Sequence, residues 1–203
     1  YKALFTGKGG HSWGAFGLAN PHHALGYAIK EFSVNAKKYT DEGPKTSFNI
    51  GRMGGGTSVN SIPFESWMEV DMRSVDKDRL IEIDGIFKAS MQTAIEEYNS
   101  SGIDDKISLE LIKIGDRPSG ELSIDTPLVQ RAISATTLFG STPSLTRGST
   151  NSNIPISLGI PAITIGRGGV GGGAHSLNEW WLNENGAEAI KLALLLTVTE
   201  AGY

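Results

Sequence analysis

The order of strand and helix patterns in the first 114 residues constrains the fold of this chain more than any other feature. Four segments alternate apolar and polar side chains as strands do, at residues 1–6, 46–53, 64–73 and 107–114. Two segments carry apolar side chains at helical spacing, one beginning at Pro21 and ending before Asp41, the other spanning residues 76–98. The order β-α-β-β-α-β predicts a ferredoxin-like unit, in which two helices cover one face of an antiparallel sheet.

The remaining residues alternate helix and strand patterns, which is typical of an α/β sheet. The predicted elements are helices at residues 126–138, 153–158 and 186–203 and strands at residues 144–146 and 161–165. A stretch with glycine and proline near residues 115–120 separates the two regions. We therefore predict an α/β protein with an α+β, ferredoxin-like domain at residues 1–115 and a second α/β portion at residues 116–203.

Composition excludes several classes of protein. The chain has no cysteine, which rules out disulfides, thiolate zinc ligands and a cysteine nucleophile. Its 18 basic and 22 acidic residues give a net charge of −4, which argues against a nucleic-acid partner. No apolar run approaches about 18 residues, so we expect no membrane-spanning segment.

Two glycine motifs match known signatures imperfectly. GHSWG at residues 10–14 has the form of the serine-hydrolase nucleophile elbow, with Ser12 as the nucleophile. An elbow needs a strand leading directly into the turn, whereas residues 7–10 separate the predicted strand from Ser12. GRGGVG at residues 166–171 has the dinucleotide-binding form, but no strand follows about 20 residues later. We disfavour both functions.

Four loops combine glycine with polar side chains, at residues 9–12, 54–63, 147–151 and 171–180. Glycine beside a polar residue lets the backbone approach a ligand closely. Each loop alone could be an ordinary turn, but the four together indicate a binding or catalytic site.

The strings in these loops resemble those of a zinc exopeptidase family that includes aminoacylase, carboxypeptidase G, succinyl-diaminopimelate desuccinylase and peptidase T. They are GGHS at residues 9–12, GTSVNSIP at residues 56–63 followed by DMR at residues 71–73, and HSLNEW at residues 175–180. The resemblance covers nearly the whole chain. It implies a ferredoxin-like lid at residues 1–115, which also forms a homodimer, and the C-terminal portion of a catalytic α/β domain at residues 116–203.

The resemblance implies metal-dependent hydrolysis of amide bonds in small peptides or N-acyl amino acids, with two zinc ions in a complete active site. His175 corresponds to the family's last metal ligand, and neutral imidazole is a common zinc ligand. Ser176 and Glu179 would orient its loop. The alternative is that His175 is an exposed loop histidine and Glu179 an acid at a helix N-terminus.

The resemblance also implies substrate contacts. His11 corresponds to a lid histidine that enters the partner subunit's active site and donates a hydrogen bond to the oxyanion of the reaction. The family's substrate-binding positions correspond to Asn60, Arg73, Arg147, Gly148, Ser149 and Thr150. Arg73 would grip the substrate carboxylate through its bidentate fork. The structural alternatives are turn residues for His11 and Asn60 and a surface ion pair for Arg73.

Most of the family's metal site is missing from this sequence. In the family, a His-x-Asp segment, a bridging aspartate and a glutamate base precede the lid, whereas this chain opens at Tyr1 inside a strand pattern. We therefore expect a piece of a longer enzyme that neither binds zinc tightly nor hydrolyses substrate by itself. Asn151 also stands where many members have an acidic residue.

Two other functions stay open at this point. A non-catalytic dimerisation or binding module would need no metal, and a serine hydrolase would use Ser12. The sequence does not decide between a peptidase and a deacylase, and it names neither the acyl group nor the native metal. It does not determine the compartment either, although a cytoplasmic location is the expectation.

Overall fold

The computed structural model describes residues 1–101, 103 and 105–203, and the chain divides into two units, Tyr1–Asp116 and Arg117–Tyr203. In the first unit the helices and the longer strands follow the predicted order. Its elements are β1 (Lys2–Thr6), β2 (Gly10–His11), α1 (Pro21–Thr40), β3 (Thr46–Gly55), β4 (Ser61–Ile62), β5 (Glu65–Ser74), α2 (Lys77–Asn99) and β6 (Ser108–Ile112). The two-residue strands β2 and β4 are not among the predicted elements.

Strands β3, β5, β1 and β6 form, in this order, one antiparallel sheet. Strand β5 alternates in burial, because Ser66, Met68 and Val70 are buried while their neighbours are partly exposed. Burial of every second residue is the pattern of a sheet covered on one face only. Helices α1 and α2 pack on the sheet and on each other, which confirms the predicted α/β class and the ferredoxin-like arrangement of this unit.

Helix α1 begins where the sequence predicts. The Asn20 side chain accepts a hydrogen bond from the backbone N–H of His22 at 2.9 Å, and Pro21 occupies the first helical position. An asparagine cap followed by proline is a typical helix start, because the cap satisfies a free N–H and proline needs none. The start of α1 therefore depends on local sequence and not on packing.

An aromatic cluster joins the two helices to the sheet. The ring of Phe32 on α1 lies 5.2 Å from Phe87 on α2 and 5.2 Å from Phe48 on β3, centroid to centroid. Both contacts are edge-to-face, an arrangement that aromatic rings prefer. Phe32 and Phe87 are fully buried, so these contacts form the centre of the core.

The second unit contains α3 (Pro127–Leu138), α4 (Asn153–Ser157), β7 (Val170–Gly172), β8 (Trp180–Leu182) and α5 (Gly186–Glu200). Its three helices confirm the three predicted ones, with α5 ending before the predicted terminus. Strands β7 and β8 pair as an antiparallel hairpin that the sequence did not predict.

The strands predicted at residues 144–146 and 161–165 are wrong. In the part of the chain that the structure describes, neither segment pairs with a neighbouring strand. A strand is stabilised by the backbone hydrogen bonds of its ladder. An apolar composition therefore does not make a strand where the pairing segment is missing.

The second unit buries few apolar side chains, namely Val129, Ala135 and Leu196. On α5, Ile190 and Leu194 are 72% and 63% exposed. A helix that is apolar on most sides is normally buried. The exposed fractions of Ile190 and Leu194 are therefore larger than expected for such a helix. Of the helices described, none combines the length and the apolar character needed to cross a membrane.

Replacing Phe32 with alanine is expected to lower the free energy of unfolding of the first unit by about 3–5 kcal/mol, because a buried ring is lost and a cavity remains. Val34 on the same helix is 60% exposed, and Val34→Ala should change the free energy by no more than about 0.5 kcal/mol. Urea denaturation followed by circular dichroism measures both variants. Similar losses in the two would contradict the core assigned to Phe32.

Candidate functional site

A two-stranded ribbon brings His11 and Asn60 together in the first unit. His11 in β2 is the register partner of Ser61 in β4. One residue further along, the backbone N–H of Ser12 donates to the carbonyl of Asn60 at 2.9 Å. Two candidates that are 49 positions apart in sequence therefore lie on adjacent segments.

Glycine is required where the two segments of the ribbon approach each other. Gly9 has a φ of +66°, and a Cβ built on it would lie 3.1 Å from Cβ of Phe64. A side chain at this position would be strained by its backbone conformation and crowded by its neighbour. The glycines before His11 thus serve the geometry of the ribbon.

The backbone fixes the hydrogen-bonding role of the His11 ring. The backbone N–H groups of Trp13 and Gly14 point at His11 Nδ1, at 3.2 Å and 3.3 Å. Because two donors face Nδ1, the neutral ring accepts there and carries its proton on Nε2. The exposed His11 side chain is therefore set to donate a hydrogen bond from Nε2 to an incoming group.

Asn60 is arranged in the same way. The hydroxyl of Ser58 donates to Oδ1 of Asn60. The amide nitrogen Nδ2, a donor with two hydrogens, is left for another partner. The ribbon thus occupies the acceptor atom of both side chains and presents N–H donors.

Ser12 does not lie in a nucleophile elbow. The sheet of this unit is antiparallel, and residues 12–17 form turns before α1 begins at Pro21. The elbow instead needs a strand that passes through one sharp turn into a helix. Ser12 is partly exposed and does not have a positive φ, so it lacks the strained strand-to-helix turn that presents the nucleophile in that motif.

Arg73 lies far along β5 from the ribbon. Its Nε donates to Asp71 Oδ2 at 2.6 Å, and both side chains are more than half exposed. Arg73 lies eight positions after Glu65, the first residue of β5, which is about 25 Å of extended chain. The structure therefore gives Arg73 an ion pair and does not place it with His11 and Asn60 of the same chain.

His22 is a residue that the sequence analysis did not single out. Its Nδ1 lies 2.7 Å from Oγ of Ser66, which is fully buried. A Cβ built on Gly56 would lie 2.8 Å from Nε2 of the same ring, so the histidine packs against the loop that leads to Asn60. His22 is itself an exposed residue, and the signal available in the sequence was its position three residues before the buried Leu25 on α1.

His175 occupies the loop of the β7–β8 hairpin in the second unit. Its φ is +65°, and its backbone N–H donates to Glu179 Oε2 at 3.1 Å. A left-handed conformation at a residue other than glycine costs about 1–2 kcal/mol and occurs often at functional sites. Glu179 and the strained backbone together fix how the exposed His175 is presented.

The donor set around His175 does not make a zinc site by itself. Among the described residues, no group of three or more histidine, aspartate or glutamate side chains could hold a metal ion. A catalytic zinc site takes three protein ligands. His175 and Glu179 offer at most two, and Glu179 already accepts a backbone hydrogen bond.

The predicted substrate loop at residues 147–150 is tied to two other segments of the second unit. Ser149 accepts a hydrogen bond from Arg117 Nη1 at 3.1 Å, and the hydroxyls of Thr150 and Thr164 lie 2.7 Å apart. Arg147 is largely exposed, with Glu121 as its 3.6 Å ion-pair partner. The loop therefore has an anchored end at Thr150 and, at Arg147, an exposed guanidinium with a long ion-pair contact, and Gly148 lies between Arg147 and Ser149.

The glycine run at residues 166–171 forms part of the β7–β8 hairpin and not a phosphate-binding turn. Gly171 pairs with Trp181, and a Cβ built on Gly169 would lie 2.3 Å from Nε1 of that ring. The glycines therefore make room for the indole. A dinucleotide site would need a helix opening on the last glycine, where the hairpin strand lies instead.

Residues 1–99 match the family model described as the peptidase dimerisation domain. This part of the chain is a peptidase dimerisation domain. The family resemblance predicted from the sequence is thereby confirmed. His11, Asn60, Arg73 and His22 all lie within the dimerisation domain.

Solved structures extend the similarity to the whole chain. An aminopeptidase PepT from Bacillus cereus is 22% identical with a TM-score of 0.60, and the match covers 97% of this chain and 49% of that one. A tripeptidase from Staphylococcus aureus is 18% identical with a TM-score of 0.68, covering 98% and 50%. An amidase of the hydantoinase/carbamoylase family from Burkholderia vietnamiensis is 18% identical with a TM-score of 0.63, covering 97% and 46%.

At these identities the similarity establishes the fold. The chain spans about half the length of these solved proteins. A comparison with curated protein sequences gives no match.

The geometry of the dimerisation domain predicts the tautomer of His11. In alkaline buffer, where imidazole is neutral, long-range ¹H–¹⁵N NMR should show His11 protonated on Nε2. In the described part of the chain no backbone donor faces the ring of the exposed His23, which therefore serves as the control, with a mixture of tautomers expected. A proton on Nδ1 of His11 would contradict the arrangement of the Trp13 and Gly14 N–H groups.

Proposed function

We propose that this chain is the dimerisation domain and one part of the active site of a metal-dependent hydrolase that cleaves amide bonds in small peptides or N-acyl amino acids. The observation that carries the proposal is the pair of N–H donors on His11 and Asn60, each with its acceptor atom occupied by the protein. The peptidase and amidase names of the solved relatives support the reaction class.

The two donors suit the stabilisation of an oxyanion. When a water molecule adds to an amide carbonyl, the carbonyl oxygen gains negative charge. Donors that are already oriented toward that oxygen stabilise the transition state without a reorganisation cost, and one such donor is typically worth about 10²–10³ in rate. In this proposal His11 donates from Nε2, and Asn60 supports it from Nδ2.

The second unit would supply a metal ligand and substrate contacts. We assign His175 to a zinc site, with its ring presented by the strained loop and by Glu179. The residues of this chain do not complete that site, so the proposal requires further ligands and a general base from segments outside it. Arg147 is the arginine that we assign to the substrate carboxylate, because its contact with Glu121 is 3.6 Å long, whereas Arg73 lies 2.6 Å from Asp71. Gly148, Ser149 and Thr150 would line the same substrate loop.

The thin core of the second unit supports the need for such segments. Its exposed apolar side chains include Ile190 and Leu194 on α5, and residues 161–165 form an extended segment without a pairing strand. The solved relatives are about twice as long as the match. We propose that a further layer of the catalytic domain covers α5 and pairs with residues 161–165 in the complete protein.

A chelator experiment on the full-length gene product tests the reaction class. Hydrolysis of a panel of dipeptides and N-acyl amino acids should be lost after removal of metal and return when zinc is added. His175→Ala should lower activity by on the order of 10²-fold or more, because it removes a metal ligand. The surface variant His23→Ala should not change the activity. Activity that survives chelation and falls in Ser12→Ala would favour a serine hydrolase. An inactive but dimeric product would favour a binding module.

A mixing experiment tests whether His11 works in the active site of the partner subunit. His11→Ala and His175→Ala homodimers should each be nearly inactive. After exchange of subunits between equal amounts of the two variants, about half of the dimers should be mixed. Each mixed dimer should contain one site with both histidines intact and one site with neither. The mixture should therefore recover about a quarter of the activity of the unmodified protein. No recovery, despite subunit exchange shown by native mass spectrometry, would place His11 in the site of its own subunit or in none.

A further inference from the structure

The two loops that carry His11 and Asn60 contain no charged side chain. Residues 9–20 and residues 54–64 lack aspartate, glutamate, lysine and arginine, although 20% of the whole chain is charged. Exposed loops normally carry charge because water solvates it well. These loops therefore offer a surface on which an apolar group would not displace the hydration of a charged side chain.

Three of the large apolar side chains in these loops are almost fully exposed. Trp13 is 88% exposed, Phe16 is 89% exposed and Val59 is fully exposed. We call these three side chains the apolar tip. The three side chains lie on neighbouring segments, because the N–H of Ser12 donates to the carbonyl of Asn60 and the N–H of Phe16 to that of Trp13. Large apolar groups exposed on adjoining segments are typical of binding sites.

Backbone hydrogen bonds hold the apolar tip beside the proposed oxyanion donors. The N–H of Trp13 donates to the His11 ring, and the N–H of Ala15 donates to the His11 carbonyl at 2.9 Å. Val59 immediately precedes Asn60, whose carbonyl accepts from Ser12. The apolar tip and the donors therefore belong to one ribbon. An apolar group of the substrate that binds the tip would lie next to the carbonyl that accepts hydrogen bonds from His11 and Asn60.

The area of the tip suits a small ligand. Two exposed aromatic side chains and a valine present about 500 Å². A stable protein interface needs about 800 Å² from each partner. A few polar donors set in an apolar surface are instead the common composition of a small-molecule site.

We infer that Trp13, Phe16 and Val59 form a subsite for the apolar side chain or acyl group of the substrate, so that the enzyme selects apolar substrates. This inference rests on the proposed hydrolase function. It assigns the tip one occupant, the apolar part of the substrate held by His11 and Asn60.

A matched pair of substrates tests the inference on the full-length gene product. The two substrates are identical except at one residue, which is leucine in one and asparagine in the other. These side chains have similar size, but one is apolar and the other polar. The unmodified protein should hydrolyse the leucine substrate with the higher kcat/KM. Trp13→Ala and Val59→Thr should each lower kcat/KM for the leucine substrate about tenfold and leave the value for the asparagine substrate within about twofold. Trp13→Phe should retain most of the preference.

Two controls separate the possible outcomes. Ile81 on α2 is 61% exposed, and Ile81→Ala should leave both substrates unchanged. Sedimentation of each variant reports its oligomeric state, and dissociation of a dimer by Trp13→Ala would overturn the inference by showing that a second copy covers the tip. Equal losses for both substrates, or no loss, would also overturn it. If the unmodified protein hydrolyses neither substrate nor any of the panel, the proposed function itself fails.

Discussion

The edge-to-face packing of Phe32 against Phe87 and Phe48 is the interaction on which the first unit depends. It joins α1, α2 and β3, and both helices also pack against β5. This packing holds β5 in the sheet. Residues 63–64 connect β5 to the preceding strand β4, which pairs with β2. The position of His11 on the surface is therefore a consequence of aromatic packing in the core.

The ribbon shows how a few backbone groups can prepare a side chain for chemistry. The N–H groups of Trp13 and Gly14 decide which ring nitrogen of His11 carries the proton. The Ser58 hydroxyl occupies the acceptor of Asn60. No charged side chain takes part, so the orientation of the donors depends on turn geometry, which is stiff where glycine permits the close approach of two segments.

The second unit differs from the first in having a small hydrophobic core. Val129, Ala135 and Leu196 are its buried apolar side chains, and the apolar surface of α5 is left to water. Close packing normally buries such a helix. His175 on the hairpin loop has a strained backbone, which is held within this chain by the hydrogen bond of its N–H to Glu179.

The sequence by itself determined the elements whose signal is local. Apolar periodicity and the cap at Asn20 predicted α1, α2 and the four sheet strands, because side-chain spacing and capping act within a few residues. The strings around His11, Asn60 and His175 indicated the family, and the match of residues 1–99 agrees with them.

Tertiary structure alone decided the features that depend on distant partners. The β2–β4 ribbon consists of two-residue strands, which are too short to show a period, and residues 161–165 form no strand because a ladder needs a neighbour. The contact of His22 with Ser66, which is 44 residues away in the sequence, likewise follows from where the backbone returns. Residue types show which chemistry is possible, and only the fold shows which groups meet.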